Sequence, residues 1–207
     1  MLVESTRARR RDVVNAAKRE LILSAAREVF AEQGLEASSV RAIAKVAGYT
    51  AGALYGHFPS KEHIYAALLD ESLDRLGAAT AAAATATSRA DRFRATGLAF
   101  YDFYDADPRD LELGLYLFRN GIGPHGLSAD LNSGLNAKLL ASLAPITAAA
   151  LDLGANAGRA RELTAEVLAY ATGVILLAHT RRLALFGGEP RAMMDHFLRT
   201  QVATLSD

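Results

Sequence analysis

Residues Ser38 to Glu62 read SSVRAIAKVAGYTAGALYGHFPSKE. Ser38 or Ser39 can accept a hydrogen bond from the free amides that open a helix. Val40, Ile43, Ala44 and Ala47 then recur at i, i+3, i+4 and i+7, the period of one buried helical face. Gly48 marks a turn, Thr50 can cap a second short helix from Ala51 to about Gly56, and Pro59 ends that segment. Ser60 caps a further helix that starts at Lys61. Two short helices joined by a glycine turn are the arrangement that offers one small helix to the major groove of DNA.

Working outward, Leu21, Ala25 and Val29, with Ile22, Ala26 and Phe30, give a broad apolar face to a helix from about Asp12 or Val14 to Gln33. Gly34 is placed to close it as a left-handed cap. Downstream, the Lys61 helix is expected to run to about Leu76, before Gly77. Ala78 to Ala90 is nearly all alanine and threonine, and reads as either a helical spacer or a mobile linker. Further helices are expected at Asp91–Tyr104, Pro108–Asn120, Ala129–Leu151, Gly158–Phe186 and Pro190–Leu205, with Pro108 and Pro190 in first-turn positions. A break falls at Gly121–Gly126. The expected fold is all-α: a basic arm and three-helix DNA-binding domain over residues 1–65, then a larger helical body over 66–207. A connecting helix of about residues 61–76 joins them.

Composition agrees with this class. Half of the 207 residues are hydrophobic, and period-two strand patterns are hard to find. The absence of cysteine excludes disulfides and thiolate metal sites. Met1 to Lys18 is basic and polar, without the apolar core of a signal segment. The longest apolar run, Val167–Ala178, is interrupted by Thr172 and Gly173 and is shorter than the roughly 20 residues a bilayer requires. A soluble cytoplasmic protein with no membrane partner is expected. Net charge is zero, but residues 1–65 carry ten Lys and Arg against seven Asp and Glu. The remainder carries thirteen against sixteen, so the positive end coincides with the candidate reader.

In that reader, Leu54 and Phe58 suit the inner side, braced by Ile43 and by Val46 or Ala47. Ala51, Gly52 and Ala53 are small enough for the backbone to approach base edges. Tyr55, His57 and Lys61 can donate to phosphates. From Glu36 to Ile64 the chain resembles the helix-turn-helix of TetR-family transcriptional regulators. The match is carried by Val40-Arg41-Ala42-Ile43-Ala44, Ala47-Gly48-Tyr49-Thr50, Ala53-Leu54-Tyr55-Gly56-His57-Phe58 and Ser60-Lys61-Glu62, and extends over roughly residues 15–65. The resemblance implies that Ser39, Tyr55, His57 and Lys61 hold phosphates, while Arg41, Thr50, Ala51, Gly52 and Ala53 lie near bases. Many relatives carry larger polar residues in this helix, so Arg41, Thr50, the arm or DNA shape would carry more of the specificity here. The arm Arg7–Arg11 reads equally as a disordered tail and as a minor-groove insertion.

The body carries an aromatic cluster of Phe93, Phe100, Tyr101, Phe103 and Tyr104, then Tyr116 and Phe118. It reads either as core or as the wall of a largely apolar effector pocket. Phe100, Tyr101, Tyr104, Tyr116, Phe118 and His179 are the candidate lining residues, with His125 near an entrance and His196 at a surface or interface. His179 reads more readily as a core histidine. No nucleophile elbow, phosphate loop or dinucleotide fingerprint is present, and no histidine pair has metal-ligand spacing, so no catalytic residue, metal or cofactor is expected. The surplus apolar surface of Gly158–Phe186 points to a homodimer. In the family, the last two helices of each subunit form a four-helix bundle, and the dimer sets two reader helices on a palindromic operator. The implied function is a ligand-responsive DNA-binding transcriptional regulator, a repressor released from a palindromic operator by a small molecule. The rivals are a helical dimer acting on a protein partner and an all-helical enzyme.

Overall fold

The computed structural model describes residues 2–115 and 127–206. All regular structure among them is helical: α1 (Leu2–Ala37), α2 (Val40–Ala47), α3 (Ala51–Tyr55), α4 (Lys61–Ala83), α5 (Arg89–Ala106), α6 (Pro108–Leu115), α7 (Ala129–Asp152), α8 (Ala157–His179) and α9 (Pro190–Ser206). A short 3-10 turn, Leu183–Phe186, lies between α8 and α9. The chain folds as two compact units, one built on Met1–Leu69 and one on Asp70–Gly114 and Ser133–Asp207.

In the first unit α1 packs on α2, and α2 on α3. Its core holds Ile22, Leu23, Ala26, Val29, Ile43, Ala44, Leu54 and Phe58. Leu21 and Val46 are exposed instead. Each sits just outside the buried stripe, so periodicity included them at its edge. Gly34 does break α1, but with φ 71° and ψ 160° it is not the left-handed cap expected from its position. That region is open to almost no residue except glycine. The helix also begins at Leu2 rather than near Asp12, so the basic arm Arg7–Arg11 is helical rather than a disordered tail.

In the second unit α5, α8 and α9 pack on one another. Gly97 lets α5 and α9 approach closely, for a Cβ built there would stand 2.5 Å from Leu198 Cδ2. Tyr170 and Phe197 stack with ring centroids 4.4 Å apart. Gly77 does not end α4, which continues to Ala83. The reason is tertiary: Gly77 lies against Ser142 of α7, and the buried Thr80 hydroxyl donates to the Ser142 carbonyl at 2.7 Å. Half of the ambiguous alanine-threonine segment is thereby helix; after it, Ser88 accepts from the Asp91 amide and opens α5.

Helix α8 stops at His179, short of the expected Phe186. Thr180 Oγ1 donates back to the Leu176 carbonyl at 2.7 Å, and Arg181 then takes φ 57°. The Val167–Ala178 run belongs to a 23-residue helix, and both α7 and α8 are long and apolar enough to cross a membrane by length and composition alone. The core helix of a folded body passes the same test. Here Leu163, Val167, Ala171 and Val174 are buried, while Arg159 of the same helix pairs with Glu166 at 2.6 Å and donates to Gln201 of α9.

Candidate nucleic-acid interface

The local bonds of α2 and α3 follow from their capping residues. Ser39 Oγ accepts from the Ala42 amide at 3.1 Å, leaving its own proton free to donate outward. At the other end Gly48 adopts the left-handed conformation, φ 73° and ψ 26°, and its amide returns to the Ala44 and Lys45 carbonyls. Tyr49 N also donates to the Ala44 carbonyl, at 2.9 Å. Thr50 Oγ1 then accepts from the Ala53 amide at 3.2 Å and starts α3. Glycine at 48 is required because the chain must reverse within two residues while both helices keep their caps.

Leu54 and Phe58, both buried, face inward, which turns the opposite side of α3 to solvent. Gly52, Ala53 and Tyr55 are exposed there, with Ala51 and His57 half-buried beside them. A Cβ on Gly52 would meet nothing closer than Thr50 Oγ1 at 4.0 Å, so this surface is open. Tyr55 is 55% exposed. Arg41 and Thr50 are also exposed. None of the predicted reader residues is buried: Ser39, Arg41, Thr50, Gly52, Ala53 and Tyr55 are exposed, and Ala51, His57 and Lys61 are half-buried.

Lys61, at the start of α4, donates from Nζ to the Ser38 carbonyl at 3.2 Å, tying α4 to the entrance of α2. Its neighbour Glu62 is partly desolvated, which opposes its charge, but bonds from Ser60 and its own amide, with the charges of Lys61 and His63, hold its carboxyl below the ordinary value. Sequence reasoning did not single out Arg19. Its guanidinium carbon stands 4.4 Å from the centroid of the Phe58 ring, a cation–π contact between α1 and the exit from α3. The only sequence signal was an arginine one turn before the buried stripe of α1.

A sequence model described as "Bacterial regulatory proteins, tetR family" matches residues 22–68, which contain these elements. The HTH-type transcriptional activator FasR of Mycolicibacterium smegmatis is 37% identical over 97 residues, covering 46% of this chain and 44% of that protein. The HTH-type transcriptional repressor KstR2 of the same organism is 37% identical over 102 residues, 49% of each. The likeness to the TetR family is carried by this amino-terminal segment. The match spans about half the length of these curated relatives. Across 88% of this chain the fold is also similar to that of FadR from Bacillus subtilis, solved in complex with stearoyl-CoA, with TM-score 0.63, 16% identity and 96% of that chain covered.

The other candidates lie in the second unit. Phe100, Tyr101 and Tyr104 are buried on α5, and Phe100 meets Tyr104 edge-on at 5.1 Å. Burial, with the nearby Asp105 and Asp102 carboxylates, pushes the Tyr101 hydroxyl up to about 12; burial and Asp110 do the same for Tyr104. His179 is not a core histidine: it is exposed at the end of α8, with Nε2 3.7 Å from Asp105 Oδ1. The reading failed because the apolar run around it ends where the helix does. His196 is exposed. Tyr116, Phe118 and His125 lie outside the described residues. Among the described residues, no group of three or more potential ligands could hold a metal ion.

Proposed function

We propose that this chain is a homodimeric, ligand-responsive DNA-binding transcriptional regulator of the bacterial cytoplasm, a repressor released from a palindromic operator by a small molecule. The observation that carries the reading is the open face of α3, made of Gly52, Ala53 and Tyr55 and braced from behind by Leu54 and Phe58. Small residues there let the backbone approach base edges and thymine methyls, with Arg41 and Thr50 at the margin of the same approach. Ser39, Tyr55, His57 and Lys61 would fix the register on phosphates. No catalytic step is proposed.

The effector would be largely apolar and bind in the second unit, with Phe100, Tyr101 and Tyr104 supplying apolar wall and His179 a polar contact. Binding of stearoyl-CoA by the Bacillus subtilis neighbour is consistent with an apolar ligand in such a body. Homodimerisation is supported by Leu176 and Leu177 on α8 and by Leu185 and Phe186 after it, all exposed apolar side chains. Helix α4 starts in the first unit and continues past Asp70 without a break, which suits it to transmit the effector's presence. A coupling of about 1–3 kcal/mol would change operator affinity roughly 5- to 150-fold.

The test is selection from random duplex DNA by the purified protein, titrated with salt. An enriched palindrome supports the regulator, and its half-site spacing gives the distance between reader helices. Weak, flat, sequence-independent binding would remove the reading.

A further inference from the structure

We propose that the amino-terminal extension of α1 carries a second phosphate-binding stripe, Arg11, Asn15 and Lys18, that holds DNA backbone beside the reader helix. The proposal rests on the DNA-binding reading above and extends it to a surface outside the helix-turn-helix.

Side chains three and four apart share a helical face. Along α1 the buried face runs through Val29, Ala26, Ala25 and Ile22. Continued toward the amino terminus, the same face passes through Arg19 and Lys18, then Asn15, then Arg11. One stripe therefore changes from apolar to cationic where α1 leaves the core. Arg19 fixes its direction, because its guanidinium lies over Phe58, three residues beyond Tyr55. The stripe beyond Arg19 thus extends the positive surface from the exit of the reader segment.

Residues 9–17 are all exposed, so among the described residues no part of the first unit covers this stretch. A surface of this kind suits a polyanion of regular charge spacing. Duplex DNA is such a partner, and continuity with the reader face favours it over a membrane or an acidic protein. Arg9 and Arg10 carry the same charge but lie on the opposite rows. Those rows lead through Val13, Glu20 and Arg27, and through Ala17, Leu21 and Glu28, exposed throughout.

This difference of face gives the test. Two double variants of equal charge are compared with wild type, Arg11→Gln with Lys18→Gln and Arg9→Gln with Arg10→Gln. The readout is affinity for a mixed-sequence duplex across a salt titration. Each lost phosphate contact lowers the slope of log affinity against log salt by about 0.9, so the facing pair should lose about 1.8. The opposite pair should keep the wild-type slope. Equal losses in both pairs, or none in either, would overturn the stripe while leaving the reader intact. A wild-type protein without salt-dependent binding would overturn both readings. Unchanged helical circular dichroism in all three proteins checks that the fold is preserved.

Discussion

Two glycines four positions apart, Gly48 and Gly52, should separate folding from DNA binding when each is replaced. At Gly48 an added Cβ would have no neighbour within 4 Å, so crowding plays no part and the cost of Gly48→Ala is the left-handed backbone alone. For an L-residue that strain is about 1–2 kcal/mol. At about 2–4 °C per kcal/mol for a chain of this size, the thermal midpoint should fall by several degrees. Gly52 lies on α3 outside the left-handed region, with only Thr50 Oγ1 at 4.0 Å from an added Cβ. Gly52→Leu should therefore leave stability unchanged or raise it by about 0.5–1 kcal/mol, since glycine is a poor helix former. The same leucine would stand where the backbone is proposed to approach the bases. Losing one good base contact costs about 1–3 kcal/mol, roughly a 5- to 150-fold weakening. Thermal unfolding and equilibrium titration of a selected duplex measure the two effects on the same preparations. Wild-type affinity in a stable Gly52→Leu protein would refute the reader assignment, and an unchanged midpoint in Gly48→Ala would refute the strain argument.

Lys61→Ala should weaken binding to all sequences alike and lower the salt slope by about 0.9, whereas Tyr55→Phe should weaken it without loss of stability, because the ring is exposed. An unchanged slope for Lys61→Ala would remove its phosphate role. Leu185 and Phe186 are 79% and 85% exposed, so Leu185→Glu with Phe186→Glu should shift the protein to monomer in analytical ultracentrifugation. Persistence of the dimer would place the interface elsewhere. Bonding to Arg94, with further help from the Arg199 charge, holds the Asp195 carboxyl below its ordinary value of 3.8. That stabilisation is present above the ordinary value and is lost as pH falls through the lowered one. Unfolding midpoints should accordingly fall more steeply with acid in wild type than in Asp195→Asn; parallel curves would show that the pair contributes nothing.

The head was legible because its signals are local. Ser39, Gly48 and Thr50 act through bonds to residues within five positions, and Ile43, Ala44 and Leu54 declare a buried face by spacing alone. Less legible were residues whose state depends on a distant neighbour. Gly77 looked like a stop, but the helix continues because Ser142 lies against it and receives the Thr80 hydroxyl. His179 looked buried, yet the helix ends beneath it and leaves it exposed near Asp105. No local pattern marked Arg19 before the fold set it over Phe58.

By itself, then, the amino-acid sequence determined an all-helical class and the caps and turn of α2 and α3. Each of those depends on backbone bonds and periodicities spanning a turn or two of helix. Tertiary structure alone decided how far α4 runs and where the Arg19 side chain at the head of the α1 core lies. Those outcomes depend on contacts such as Thr80 with Ser142, 62 positions apart, or Arg19 with Phe58, whose partners no local pattern can name.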